Sequence, residues 1–283
     1  LDKRERFLGL RERIEELYQG GRLRQLQELL DRAERSLSSF DLDGAMEALE
    51  AAFKLDRGNF ELASFLGETW FNEGEMERAL PFFERALAAK PDHYEALIYS
   101  GVLHHERGRD ERAQELLGRA VALYPDSFLP LFSLGAVHAR RDSLKKAAIY
   151  LERAVAVEPV PQALYLLGNC LYDMGKSTAA IKHLKRAVQQ APAFEEAHHL
   201  LGLAYLDRRW TKKALDAFRQ AQRLNPKKLQ YRDLVRFLEG EAGRPLPEVP
   251  AEAADFITAG ERSLASGDER AALTSYRRAL DLA

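Results

Sequence analysis

Apolar residues recur along most of the chain with the spacing of amphipathic helices. A stretch over 60–74 places its apolar residues on one helical stripe, formed by Leu62, Phe65, Leu66 and Trp70. A second amphipathic stretch follows Gly74 and ends at Pro91, because proline cannot continue a helix. The pattern therefore predicts a helix, a short turn and a second helix.

This pattern recurs every 33 or 34 residues, and four columns of residues repeat in step. The columns are Gly67, Gly101, Gly135, Gly168 and Gly202; Ala79, Ala113, Ala147, Ala180 and Ala214; Ala86, Ala120, Ala154, Ala187 and Ala221; and Pro91, Pro125, Pro159, Pro192 and Pro226. Small residues at fixed places predict that the two helices of each repeat cross closely there. The bulky residues expected beside the crossings are Phe83, Leu117, Leu151, Leu184 and Phe218.

The chain resembles the tetratricopeptide repeat (TPR) family in its period, its alanine columns, its closing prolines and its Leu-Gly pairs. Those pairs are Leu66-Gly67, Leu134-Gly135, Leu167-Gly168 and Leu201-Gly202, and one repeat departs from them with Ser100 in the leucine position. The resemblance implies an all-α fold, a right-handed α-solenoid of stacked antiparallel helix pairs.

Six repeats are predicted over 26–228, at 26–59 (a weak match), 60–93, 94–127, 128–160, 161–194 and 195–228. Residues 1–25 are expected to hold a capping helix that covers an apolar end of the array. An extra helix is predicted over 229–242, a Pro-rich linker over 243–251 and a further TPR-like repeat over 252–283. The last repeat stops where a closing proline would stand, so we expect the natural protein to continue.

The resemblance implies a concave groove lined by the first helix of each repeat. The groove candidates are Glu68, Ile98, His105, Phe132, Tyr165, Asn169, Tyr172 and His199. Aromatic walls around the amide of Asn169 suit a peptide segment with apolar anchors, and the acidic early repeats favour a basic stretch of ligand. The alternative is that these side chains pack against neighbouring helices.

The formal net charge is only −2, but charge is distributed unevenly along the chain. Residues 1–127 have a net charge of −8, residues 128–228 of +9 and residues 229–283 of −3. The candidate basic ridge comprises Lys145, Lys146, Lys182, Arg208, Arg209, Lys212 and Lys213. Such a ridge is either a solvated face or a surface for an acidic protein, an anionic membrane or nucleic acid, with nucleic acid the least favoured partner.

Catalytic, metal and cofactor chemistry find little support in the sequence. The single cysteine, Cys170, excludes internal disulfides and a cysteine-based zinc site. The two adjacent histidine pairs, His104-His105 and His198-His199, point their side chains about 100° apart on a helix, so packing roles are predicted rather than metal binding. No G-x-S-x-G or H-E-x-x-H motif occurs, and we predict no enzyme activity and no cofactor.

These observations predict a non-enzymatic scaffold that binds a protein or peptide segment in its groove. Arginine outnumbers lysine by 30 to 12, which favours a bacterial source, and the resemblance extends to scaffolds of bacterial pilus, motility, secretion or envelope machines. Two alternatives are an electrostatic adaptor that uses the basic ridge and a substrate-presenting arm of an enzyme. The chain has no transmembrane segment, so a cytoplasmic location is expected, or a periplasmic one if a signal has been removed.

Overall fold

The computed structural model describes residues 3–17 and 22–241, together with residues 256, 259 and 278. Over this part of the chain it contains fourteen helices and no strand, which confirms the predicted all-α fold class. The helices are α1 (Lys3–Leu17), α2 (Arg22–Ser38), α3 (Leu42–Leu55), α4 (Phe60–Asn72), α5 (Met76–Ala89), α6 (Tyr94–Glu106), α7 (Asp110–Leu123), α8 (Phe128–Arg140), α9 (Leu144–Val157), α10 (Pro161–Asp173), α11 (Ser177–Gln190), α12 (Glu195–Asp207), α13 (Thr211–Leu224) and α14 (Leu229–Glu241). The predicted linker over 243–251 lies outside the described residues, as does the repeat over 252–283 apart from three residues.

The chain divides into two compact units, an N-terminal unit (residues 1–204) and a C-terminal unit (residues 205–283). In the N-terminal unit, helices pack in consecutive pairs from α2 and α3 to α10 and α11. The second helices α3, α5, α7 and α9 also pack against the first helix of the next repeat. This stacking buries one helix pair against the next and is the helical solenoid that the repeat pattern predicts.

The small-residue columns lie where the helices of a pair cross. A Cβ added at Gly101 would lie 2.6 Å from Leu117 Cγ, and one at Gly135 would lie 2.7 Å from Leu151 Cγ. Gly67 and Gly168 face Phe83 and Leu184 equally closely. The predicted pairing of these glycines with these bulky side chains is confirmed in four consecutive repeats.

Turns and arginine contacts link the repeats of the N-terminal unit. Gly175 has a φ of +72° in the turn between α10 and α11, a conformation that costs a glycine little. Arg119 donates a hydrogen bond to the Pro91 carbonyl at 2.5 Å, and Arg153 makes the same contact with Pro125 at 2.7 Å. The closing proline of one repeat is thus held by the second helix of the next.

In the C-terminal unit, α13 packs against α14. Tyr231 of α14 and Phe218 of α13 are both fully buried. Arg219 pairs with Glu239 across the two helices at 2.8 Å. An apolar stripe on each helix therefore forms the core, and one ion pair ties the helices together at the surface.

Candidate partner-binding surface

Five of the predicted groove residues lie half-buried on consecutive first helices of the N-terminal unit. We call these the central row: Phe132 of α8, Tyr165, Asn169 and Tyr172 of α10, and His199 of α12. Phe132, Tyr165 and His199 occupy the same position of successive repeats, so the fold aligns them from one helix to the next.

Two aromatic side chains of the central row, Phe132 and Tyr165, pack against a neighbouring ring that limits their rotamers. The Phe132 ring stacks on Phe128 with centroids 5.5 Å apart, and the Tyr165 ring lies 4.9 Å from Phe194. The Asn169 amide donates to the Asp173 carboxylate at 3.3 Å. Rigid, partly exposed aromatic side chains lose little entropy when a ligand packs on them, which suits a binding surface.

The first part of the predicted groove is occupied by contacts within the chain. Ile98 is only 2% exposed and packs with Leu116 in the core, so it is not the surface residue that the sequence predicts. Glu68 forms an ion pair with Arg6 of α1. His105 contacts the Asp110 carboxylate, with Nδ1 2.8 Å from Oδ1.

The Glu68 contact follows from the position of α1, which packs on both α2 and α4. Phe7 is fully buried and its ring lies 6.1 Å from Phe65 of α4. A helix placed there covers side chains of α4 that would otherwise be exposed. The sequence shows the apolar stripe of α1 but not the helix on which it packs.

A cavity of about 920 Å³ opens beside α1, and we call it the acidic cavity. Its lining is Glu5, Arg6, Gly9, Glu61, Ser64, Phe65, Glu68, Lys90, Asp92, His93, Tyr94, Glu95, Leu123 and Tyr124. Tyr94 and Tyr124 pack edge to face with centroids 4.4 Å apart, and Tyr124 is 49% exposed. Sequence reasoning missed this tyrosine pair, although Tyr124 directly precedes the closing Pro125 and Tyr94 follows the closing Pro91 by three residues.

The predicted basic ridge is divided between the two compact units. Lys145, Lys146 and Lys182 are exposed on α9 and α11 of the N-terminal unit. In the C-terminal unit, Arg208, Arg209, Lys212 and Lys213 are exposed. The ammonium of Lys213 lies 4.5 Å from the centroid of the Trp210 ring, which is a cation–π contact.

The histidines and the cysteine mostly serve packing. His138 is 4% exposed and stacks on Tyr150 with ring centroids 5.4 Å apart, and burial lowers the pKa of His104 and of His138. Burial raises the pKa of the Cys170 thiol to about 11, so it is not a thiolate nucleophile at neutral pH. Within the described residues, no three His, Cys, Asp or Glu side chains are arranged to hold a metal ion.

Sequence-family comparisons match most of the described chain. Two models of the tetratricopeptide repeat match residues 30–94 and 71–136, and a model of subunit 3 of the anaphase-promoting complex (cyclosome) matches residues 140–221. The chain is a tetratricopeptide repeat protein. No curated protein sequence gives a significant match to it.

Solved structures share the TPR fold with this chain. The structure of MamA is 26% identical with a TM-score of 0.53, and the match covers 61% of this chain and 94% of MamA. YrrB, described as a TPR protein with an unusual peptide-binding site, is 22% identical with a TM-score of 0.59 over 67% of this chain and 98% of its own. Pseudomonas aeruginosa pilF is 20% identical with a TM-score of 0.62, and the match covers 76% of this chain and 98% of pilF.

Membership of the TPR family makes this protein a protein–protein interaction scaffold. Such proteins are typically non-enzymatic. Within the described residues, no helix has the length and apolar character needed to cross a membrane.

Proposed function

We propose that this TPR protein binds an extended segment of a partner protein along the first helices of its N-terminal unit. The observation that carries the proposal is the central row of partly exposed aromatic and polar side chains on α8, α10 and α12, three of which occupy equivalent places in successive repeats. Apolar side chains of the segment would pack on Phe132, Tyr165 and Tyr172. The amide of Asn169 can exchange its contact with Asp173 for a hydrogen bond to the ligand backbone.

The acidic cavity extends this proposal to the charge of the partner. Glu61, Asp92 and Glu95 contribute carboxylates to it, and the exposed ring of Tyr124 offers a face for a cation. A lysine or arginine side chain would meet both kinds of group there. We therefore propose that the partner segment carries basic residues at one end and apolar residues at the other.

The scaffold is further proposed to serve a bacterial multiprotein machine for pilus, motility, secretion or envelope assembly. Support comes from the arginine-rich composition and from the structural likeness to bacterial pilF. A partner isolated from the source cells and identified by mass spectrometry tests this part, and a partner outside such machines would contradict it.

A peptide selection tests the proposed surface directly. Random 12-residue peptides displayed on phage are selected on the immobilised protein, and enriched peptides are measured by fluorescence anisotropy. We expect enriched sequences to combine aromatic or aliphatic residues with Lys or Arg. The double variant Tyr165→Ala/Tyr172→Ala should weaken binding by about tenfold or more, as loss of aromatic anchors does.

The matched control is Phe40→Ala, which removes an aromatic side chain that is 96% exposed in the turn before α3. It should leave the affinity unchanged, and part of the binding should persist at high salt because the central row is mainly apolar. Equal loss in both variants, or none in either, would contradict the groove. Loss only in Lys212→Glu/Lys213→Glu would assign binding to the basic residues of the C-terminal unit instead.

A further inference from the structure

A second cavity of the N-terminal unit is lined by the second helices α7 and α9 and by α8, and it shares no lining residue with the central row. It has a volume of about 330 Å³, and we call it the second-helix pocket. Its lining is Gln114 and Gly118 of α7, Leu134 and His138 of α8, and Lys146, Ile149, Tyr150 and Arg153 of α9. Leu134 and His138 are buried and form the base, while α7 and α9 form the two walls.

Two departures from the repeat's own pattern create this pocket. At the position of Gly118, other repeats carry a long charged side chain: Glu84, Glu152, Lys185 and Arg219. A Cβ added at Gly118 would meet no atom within 4 Å, so the missing side chain leaves open space. A helical glycine costs about 1 kcal/mol relative to alanine, and no close helix crossing requires one here.

The facing wall, on α9, departs from the repeat pattern by carrying an exposed apolar side chain. Ile149 is apolar and 57% exposed, whereas its position is occupied by the charged Glu115, Lys182 and Asp216 in three other repeats and by Pro81 in the repeat over 60–93. A charged position has thus become apolar beside a position that has lost its side chain. The two changes lie on facing walls of one cavity, and together they form an apolar opening in a charged surface.

Positive charge surrounds the opening on the α9 side. Lys145 and Lys146 are exposed, and neither makes an ion pair within the described part of the chain. On α7, Glu111 pairs with Arg141 at 2.8 Å and Glu115 pairs with Arg112 at 2.6 Å, so both carboxylates are already engaged. The charge beside the pocket therefore complements carboxylates rather than a basic ligand.

We propose that the second-helix pocket binds an acidic segment of a partner protein, with one leucine- or phenylalanine-sized side chain inserted between Gly118 and Ile149. Carboxylates next to this anchor pair with Lys145 and Lys146. The volume lies at the lower end of the range for ligand pockets, which fits one apolar side chain rather than a cofactor. This surface differs from the central row, so the protein would hold two partner segments of opposite charge.

Nuclear magnetic resonance on the ¹⁵N-labelled full chain tests the proposal. The probe is an acetylated and amidated pentapeptide with leucine between two pairs of glutamates. We expect saturable shifts of the Gly118 and Ile149 amide signals. A peptide with glycine in place of leucine, or with lysines in place of the glutamates, should bind about tenfold more weakly or not at all.

Matched variants separate pocket binding from general charge attraction. Gly118→Gln places a side chain in the pocket from a Cβ that meets no atom within 4 Å, and Ile149→Gln removes the apolar wall, so each should weaken binding of the leucine peptide by about tenfold. The controls are Glu152→Gln and Lys182→Gln, the equivalent positions one repeat later, and neither should weaken binding by more than about twofold.

Three results would overturn the proposal. The first is the absence of saturable shifts at Gly118 and Ile149, and the second is equal binding of the leucine and glycine peptides. The third is that the leucine peptide does not bind while vesicles of phosphatidylcholine and phosphatidylserine broaden the Gly118 and Ile149 signals. That result would show that this surface binds membranes. Tyr165→Ala/Tyr172→Ala should leave the pentapeptide affinity intact, so this proposal and the proposed function fail independently.

Discussion

Glycine has two different structural roles within the helices of this protein. Gly135 lies where α8 crosses α9, and an added Cβ would lie 2.7 Å from Leu151 Cγ and 3.5 Å from the Ala147 carbonyl oxygen. Gly118 also lies inside a helix, but no atom would come within 4 Å of its Cβ. The same residue type therefore supports close packing at one position and leaves open space at the other.

We expect Gly135→Ala to lower the free energy of unfolding by about 1–2 kcal/mol, because overpacking outweighs the better helix propensity of alanine. Gly118→Ala is the control and should raise it by up to about 1 kcal/mol. Urea unfolding followed by circular dichroism measures both. If Gly135→Ala were as stable as Gly118→Ala, the close crossing of α8 and α9 would be contradicted.

Buried histidines make the stability of the protein depend on pH. Burial lowers the pKa of His138 below its usual 6.5, and the positive charges of Lys146 and Arg141 act in the same direction. The unfolded chain therefore takes up this proton at a higher pH than the folded chain does. The stability that neutral His138 contributes is fully present above pH 6.5 and is lost as the pH falls below that value.

We expect the free energy of unfolding to decrease between about pH 7.5 and about pH 5.5. His138→Leu, which copies Leu171 at the same place two helices later, should make this decrease smaller. His104 and His183 should cause the pH dependence of stability that remains in this variant, because burial also lowers their pKa. Urea unfolding at the two pH values measures the decrease in the free energy of unfolding for each protein. An equal decrease in the variant would show that His138 does not contribute to the pH dependence.

Helices of successive repeats are joined by polar links as well as by apolar packing. Asp110 begins α7, and its carboxylate accepts from Arg140 Nε of α8 at 3.0 Å and contacts His105 of α6 at 2.8 Å. The hydrogen bond from Arg140 is the main cause that lowers the pKa of Asp110. This half-buried network holds the end of one first helix to the end of the next.

Arg140→Gln should lower the free energy of unfolding by about 1 kcal/mol, because it breaks a charge-assisted link to a largely buried carboxylate. The neighbouring Arg141→Gln is the control, since Arg141 pairs with a Glu111 side chain that is 81% exposed. Exposed pairs contribute little, so its effect should stay within about 0.5 kcal/mol. Equal effects on urea unfolding in the two variants would show that the Asp110 network adds no special stability.

Stacked repeats make the N-terminal unit a chain of neighbour contacts, so a defect should act mainly on adjacent repeats. The position of α1 on α2 and α4 gives a way to test this. Phe7 is fully buried in that contact, whereas Leu8 beside it is 37% exposed. Loss of the Phe7 ring therefore opens the packing between α1 and α4 without touching the later repeats.

We expect Phe7→Ala to raise amide hydrogen exchange in α4, by mass spectrometry of peptides over 60–72, and to leave α10 unchanged. Leu8→Ala should have little effect in either helix. Faster exchange throughout the N-terminal unit would show that it opens as one cooperative body. Unchanged exchange in α4 would contradict the packing of α1 against it.

Much of the fold and part of the candidate surface can be read from the sequence. The period, the glycine crossings and the helix pairs follow from residues no more than one repeat apart, so local patterns contain them. The alignment of Phe132, Tyr165 and His199 was also predicted, because these three hold the same position in successive repeats. The prediction failed for Ile98, which has the same position in its repeat but lies in the core with Leu116.

The repeat pattern alone therefore established an all-α TPR array, its register and the place of each first and second helix, since these depend on contacts between neighbouring segments. Only the tertiary structure decided which surfaces are open. It placed α1 on α4, engaged Glu68 and shaped the acidic cavity. It also brought Gly118 and Ile149 to facing walls of one pocket, because that distance depends on how two successive repeats pack.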